Sequence, residues 1–552
     1  MKLRAFLLSL ALISSAAAQN SDVKSALYRI NPATVRSHVV FLADDLLEGR
    51  APGTRGGELA ARYIAARLEA LGLEPAGANG SYFQQVRFRE FTVVPEKTSA
   101  TLTIDGKPQS LKWGTDFVAS GNAFVTQSKI DAAIVFVGYG AVVPRHNIDD
   151  YAGVDVRNKI VAVLRGGSPA LSSEERAHYS TSQVIAETAA QRGAIGILLL
   201  PTHESEKETP FARIVSYADQ SALRWIGPDG HPTGSPQILG SGVLAPAIVE
   251  KLFAGRPVTL AQTLEHLKAG KNQSFETSAR LALHVATTHR DITSPNVIAM
   301  RRGSDPALKS EHVVYSAHYD HVGIGKPVNG DSIYNGAWDN ATGITSVLNI
   351  ADAMASLRKA PARSIVFAFV TAEEKGLLGS DYFAQYPTIP RESVVANINI
   401  DMIGYFAEYK EVVLNPDRTG IGAIVERVAK AIGLPAVVPS KDAPQRGGGG
   451  AFMTRSDGYS FIRRGIPVVG ISLRTDPKQT EGMRSIYGTR YHQPNDDLTM
   501  PFNWNAGATF ARANFLLGYE IANSKTRPGW KSDDWLALTF RPTAQTTAVG
   551  GK

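Results

Sequence analysis

The sequence predicts an α/β protein built on a mostly parallel sheet flanked by helices, with a smaller domain inserted into it. Three observations carry this. From Asn296 onward, short apolar strand-like runs alternate with helical stretches, the pattern that returns the chain repeatedly to the same end of a parallel sheet. The run from about Ile130 to Lys271 has an α/β pattern of its own. The chain, at 552 residues, is longer than a single hydrophobic core usually supports.

In chain order, Lys2 and Arg4 precede an apolar run from Ala5 to Ile13 and then Ala16-Ala17-Ala18 before Gln19, which reads as an export signal at 1–19. The run is shorter than the roughly 20 residues that span a bilayer. The expectation is cleavage near Gln19, no stable membrane insertion, and a mature protein in the periplasm or outside the cell. Pro32 to Gly72 reads as helical, interrupted by the glycine-rich turn LLEGRAPGTRGG from Leu46 to Gly57. Short alternating strands follow from Val93 to Leu111. The expected division is 20–125 for the first part of the main domain, 126–272 for the insertion, 273–525 for the rest of the main domain, and 526–552 for a polar tail.

Composition narrows the chemistry. With 43% apolar and 20% charged residues the chain is an ordinary globular one. The absence of cysteine excludes a thiol nucleophile, thiolate metal sites and disulfides, so any metal must be held by His, Asp and Glu. The formal net charge of +7 is spread along the sequence, part of it in the signal, and predicts no nucleic-acid partner.

Ligands of open α/β sheets bind beyond the carboxyl ends of the strands. There, HVVYSA leads into His318-Tyr319-Asp320-His321, SIVFAFV into Thr371-Ala372-Glu373-Glu374, and VVANINI into Asp401. NGAWDNATG places Asp339 just ahead of a helix from Thr342, and YHQPND brings Tyr491 and His492 near the C-terminus. IPVVGIS reads as the last strand. Each piece alone has an ordinary explanation as a turn or a cap. Together they bring carboxylates to one sheet edge, where they would repel unless a cation neutralised them, and imidazole with carboxylate suits zinc.

These motifs, in this order, resemble family M28 of the zinc peptidases, whose members include leucine-type aminopeptidases. The resemblance implies two zinc ions per chain. It implies His318, Asp339, Glu374, Asp401 and His492 as metal ligands, with Asp339 bridging. It implies Asp320 as the carboxylate that orients His318, Glu373 as the general base, and Tyr491 as a residue that helps polarise the scissile carbonyl. His321 has no assigned role and reads as a wall residue. Where relatives often carry histidine after Ser456-Asp457, this chain has Gly458. VFVGYG, DYAGVDVRNKIVAVLRGG and AAQRGAIGILLL resemble the protease-associated (PA) domain inserted in many relatives, which implies control of substrate entry rather than chemistry.

The implied activity is zinc-dependent removal of N-terminal residues from peptides by an activated water. A carboxypeptidase on the same metal core is the alternative, and Arg446, Arg455 and Arg490 are the arginines placed to meet a terminal carboxylate. A receptor-like relative without metals would lack these ligands, and a glutaminyl cyclase would use one zinc and no inserted PA domain.

Overall fold

The computed structural model describes residues 21–254, 258–439 and 452–540. The expected signal at 1–19, Arg446 and the last twelve residues of the expected tail lie outside them. The described chain divides into two compact units, one made of 21–86, 293–439 and 456–540, the other of 87–292 and 452–455.

The smaller unit is wider than the 126–272 expected, and strand pairing is the reason. Ser99–Ile104 and Lys107–Leu111 form a hairpin, and the first of these strands pairs with residues 279–284, beyond the expected end. Its sheet runs Gln127–Phe136, Ile160–Leu164, Gly196–Leu200 and Gly240–Leu244 in parallel, with Phe117–Ala119 antiparallel at one edge. All five residues of Ile160–Leu164 are buried, as befits a central strand covered on both faces.

In the larger unit the helices α1 (Pro32–Leu42) and α2 (Arg55–Ala70) precede the sheet. Asn31 caps α1 by accepting from the Ala33 and Thr34 amides, and Thr54 caps α2 through Gly57. The long strand β1 (Phe275–Arg301) contributes its last residues, 297–301, antiparallel to β3 (Ser364–Val370). Next to β3 comes β2 (His312–His318), and next to β2 comes β4 (Val394–Asn399), both pairs parallel. Between these strands run α3 (Thr342–Ser356) and α4 (Leu378–Gln385), followed by α5 (Gly422–Ile432) and α6 (Trp504–Asn523).

Every residue of β2 and β3 is buried, because α3 and α6 cover one face of the sheet while Phe383 of α4 and Phe461 cover the other. α6 lies so close to β2 that a Cβ on Gly518 would stand 1.9 Å from the Tyr315 hydroxyl, which donates to the Asn514 carbonyl (2.7 Å).

Two expectations are corrected. IPVVGIS shrinks to a single bridge in which Asn397 donates to the Pro467 carbonyl and receives from Val469, each at 2.9 Å. Pro467 has no N–H to extend the ladder, and Ser472–Thr475 pairs instead with Tyr409–Val413 in a small separate sheet. Within the tail expected to be polar from 526, Trp535–Phe540 is helical with Leu536 and Ala537 buried, and Arg418 binds Asp534 (2.5 and 2.7 Å).

Candidate metal centre

β2, β3 and β4 end together and hand their next residues to one place. His318, the last residue of β2, is 1% exposed; its Nε2 lies 3.2 Å from Asp401 Oδ1, 3.3 Å from Asp339 Oδ1 and 4.0 Å from Glu373 Oε2. Asp339 presents its other oxygen, Oδ2, to His492 Nε2 at 3.2 Å. One carboxylate thus faces two histidines with separate oxygens, the disposition of a bridging ligand. Glu374 reaches His321 Nδ1 with Oε1 (2.7 Å) and His492 Nε2 with Oε2 (2.9 Å). The His492 side chain is 36% exposed, so it forms the open rim of an otherwise buried cluster.

The backbone around these residues is held by buried polar side chains. Asp320 accepts from the Glu373 and Glu374 amides (3.1 and 3.3 Å), which fixes the turn between β3 and α4. It meets His318 through its backbone carbonyl, 3.2 Å from Nδ1, whereas its carboxylate stays 3.9 Å away. The orienting role expected of its side chain toward His318 therefore passes to its main chain, and the carboxylate positions the paired glutamates.

Asn340, beyond the cis Asp339–Asn340 peptide bond, accepts from the Gly343 and Met402 amides (2.9 and 3.2 Å) and donates to Ile400 (3.1 Å), tying the Asp339 segment to both neighbours of Asp401. Gly343 is required there, since a Cβ would stand 2.3 Å from Asn340 Oδ1 and 2.5 Å from the Ile400 carbonyl.

The structure adds residues to which the sequence assigned no role. Asp496 accepts from the Trp338 and Asp339 amides (2.8 and 3.0 Å), so the C-terminal YHQPND motif positions Asp339 as well as supplying His492. Its appearance in that motif was the available signal. His321 is no mere wall: it is fully buried and its nitrogen groups with Asp339 and Glu374 oxygens, all within 4.8 Å of one another. Asp457 is fully buried beside the cluster, no hydrogen bond reaches either of its oxygens, and the adjacent Ser380 hydroxyl donates to the Leu377 carbonyl (3.0 Å). Gly458 is packed against Val468 and Asn399. Arg50, from the glycine-rich turn, reaches the carbonyls behind the site.

Tyr491 lies beside the carboxylates with its ring stacked between Tyr487 (4.8 Å) and His492 (3.8 Å). Arg490 is engaged locally with the Asn495 carbonyl (2.6 Å) and Thr499 (2.9 Å), and Arg455 belongs to the smaller unit.

So many buried acids compete for protons. Burial lifts Asp320 and Asp496 to about 6 and Asp457 to about 7. Burial, Glu374, Asp401 and Asp457 hold Glu373 well above the usual carboxylate range. Burial and Asp339 act upward on Glu374 as well, but its bonds to His321 and His492 hold it at about 2.

A cation fits this arrangement. His318 groups with Asp339 and Asp401, and His321 with Asp339 and Glu374, each set within 4.8 Å. His321 Nε2 is buried with no hydrogen-bond partner, and His492 Nε2 stands 3.2 and 2.9 Å from the carboxylates of Asp339 and Glu374. A buried, unpartnered nitrogen beside carboxylates is what a metal ion would satisfy, and the nitrogen and oxygen donor set suits zinc.

Residues 296–517 match the model of peptidase family M28. They form an M28 peptidase domain. Over 252 residues the chain is 28% identical to "Probable leucine aminopeptidase 2" of Aspergillus fumigatus, covering 42% of this chain and 45% of that protein. Over 226 residues it is 28% identical to "Leupeptin-inactivating enzyme 1" of Streptomyces exfoliatus, covering 38% and 45%. The chain thus spans just under half the length of these curated relatives. The solved "Aminopeptidase from Aneurinibacillus sp. strain AM-1" is similar in fold, with a TM-score of 0.51 at 18% identity, over 92% of this chain and 97% of that one. The M28 domain carries all eight site residues expected from the sequence, together with His321, Asp457 and Asp496.

Proposed function

We propose that the chain is a zinc-dependent aminopeptidase that removes N-terminal residues from peptides, using two zinc ions. The observation that carries this is Asp339, whose two oxygens face His318 and His492 separately, so that one carboxylate joins two ligand sets. His318 and Asp401 would complete one set, and Glu374 with His492 the other. Bound zinc would supply Lewis-acid polarisation of the substrate carbonyl and stabilisation of negative charge developing on its oxygen.

Glu373 makes the proton transfers. It stands 4.0 Å from His318 Nε2 and at hydrogen-bond distance from neither histidine that Glu374 engages, so its carboxylate is free to face the attacking water and then the leaving amine. Its raised proton affinity suits a base that must hold the proton between those two events. Asp320 keeps Glu373 at the correct angle through the turn amides. The Tyr491 hydroxyl, on a ring held by stacking, would donate to the substrate oxygen.

Direction of cleavage is supported by the aminopeptidase names of the relatives and by Arg490, whose bonds to Asn495 and Thr499 leave it committed to its own loop rather than to a terminal carboxylate. We read the smaller unit as a PA-type insertion that filters substrates. The protein would act in the periplasm or outside the cell after cleavage near Gln19. Purified mature protein should contain close to two zinc ions per chain by elemental analysis and should cleave amino-free peptides but not their N-acetylated counterparts. Cleavage of acetylated peptides from the carboxyl end, or full activity in excess chelator with no bound metal, would overturn the reading.

A further inference from the structure

Arg50 is fully buried, yet none of the hydrogen bonds it makes goes to a carboxylate. Its Nε–H donates to the Tyr319 carbonyl (2.8 Å), Nη2 to the Gly336 carbonyl (2.9 Å), and Nη1 to the Asn335 carbonyl (2.6 Å) and the Leu42 carbonyl. Burying a guanidinium is costly unless its charge is answered. Here the answering charges are Asp496, Asp320, Asp339 and Glu374, which act across the intervening main chain and offset part of what burial takes from its pKa, which stands at about 10. A charge placed behind an acidic site and bonded only to carbonyls is arranged for that site rather than for a surface ion pair.

We propose that Arg50 is the positioning residue of the metal centre: its guanidinium ties the turn bearing His318, Asp320 and His321 to the turn bearing Asp339, and so sets the spacing of the metal ligands. The inference rests on the metallopeptidase reading above.

The two turns are linked through Arg50 at Tyr319, which lies between His318 and Asp320, and at Asn335 and Gly336, just before Asp339. Gly336 transmits the position directly. A Cβ there would stand 2.5 Å from the His321 ring and 2.2 Å from the Asp339 carbonyl, so the Gly336 main chain is pressed against both. Moving its carbonyl moves two groups of the centre.

The chain accepts unusual backbone to deliver this side chain. Glu48, Gly49 and Arg50 are all left-handed, at φ 51, 65 and 53, and only the middle one is a glycine. At Gly49 a Cβ would meet the Tyr334 carbonyl at 2.3 Å, so the turn is pressed against the segment that leads to Asn335. Lysine is a poor substitute, since a single ammonium cannot present donors in the planar fork that reaches Tyr319, Asn335 and Gly336 together.

The test compares full-length mature protein with Arg50→Gln and Arg50→Lys. Zinc affinity is measured in chelator-buffered zinc, and the cobalt-substituted proteins are compared by visible absorption, alongside circular dichroism and melting temperature. Loss of a residue that orients ligands from behind typically weakens metal binding by about 10–100-fold. Arg50→Gln should show that loss and an altered cobalt spectrum, with kcat reduced more than KM is raised, and Arg50→Lys should fall between it and the wild type. Folded Arg50→Gln with wild-type zinc affinity and an unchanged cobalt spectrum overturns the proposal, whatever its melting temperature. Failure of both variants to fold also overturns it, because Arg50 would then be a requirement of the fold rather than of the centre. Wild-type protein that binds neither ion instead overturns the parent reading before the variants are compared.

Discussion

Glu373 and Glu374 are adjacent in sequence and opposite in environment. Glu374 is held by two histidines and stays ionised, while Glu373 has no such bond and is crowded by acids. This separates a ligand from a base by geometry: in the turn after β3 the Glu374 carboxylate meets His321 and His492, whereas that of Glu373 stands 4.0 Å from His318. Glu373→Gln should therefore lower turnover by about 10²–10⁴ while zinc content is unchanged, as loss of a general base does. Glu374→Gln should lower zinc affinity, and added zinc should partly restore its activity. Elemental analysis beside steady-state rates separates the two; a Glu373→Gln enzyme that loses its zinc while Glu374→Gln keeps it would reverse the roles. These glutamates were legible because they come just two residues after an apolar strand. Asp496 and Arg50 were not, because their meaning depends on partners far away in sequence: Asp496 serves amides 157 and 158 residues earlier, and Arg50 a carbonyl 269 residues later.

Among the elements, β2, β3, β4 and α3 were readable from periodicity, since strands buried on both faces are continuous apolar runs. β1 was not recognised as one strand: Asp291, Ser294 and Pro295 look like turn residues, yet pairing with different partners on either side keeps the chain extended through all 27 residues. α1, which the sequence showed only as part of a helical stretch, carries a pH dependence. His38, on its buried face, has Nδ1 2.7 Å from the Tyr63 hydroxyl, and burial together with Arg67 lowers its pKa to about 4. The unfolded chain protonates this histidine near its ordinary value of about 6.5, so between 6.5 and 4 the unfolded state binds more protons than the native one. Stability is intact above that window and falls as the pH drops through it, by up to about 3 kcal/mol. His38→Gln, which can still bond Tyr63, should flatten the decline in urea-unfolding stability between pH 6.5 and 4. An unchanged slope would show that the acid sensitivity lies elsewhere.

For the molecule as a whole, the distribution of chemistry between the two units matters more than their boundaries. Among the described residues, the groups able to hold a metal all fall in the larger unit, and no described helix is long and apolar enough to cross a membrane. The two-part organisation was visible in the change of pattern near Ile130, but not the extent of the smaller unit, because the hairpin at 99–111 is recruited by pairing rather than by composition. A cation that binds only the native state stabilises it by mass action, about 2.7 kcal/mol when present at 100 times its dissociation constant. That stabilisation should be confined to the segments that converge on the centre, since local openings elsewhere do not break ligand contacts. Peptide-resolved hydrogen exchange with and without zinc should accordingly show added protection around 316–321, 335–343, 371–379, 398–402 and 490–496, with strands 127–136, 160–164 and 196–200 of the smaller unit unchanged. Equal protection in both units would mean that the metal is coupled to the whole chain, and protection confined to the smaller unit would place the metal outside the centre described.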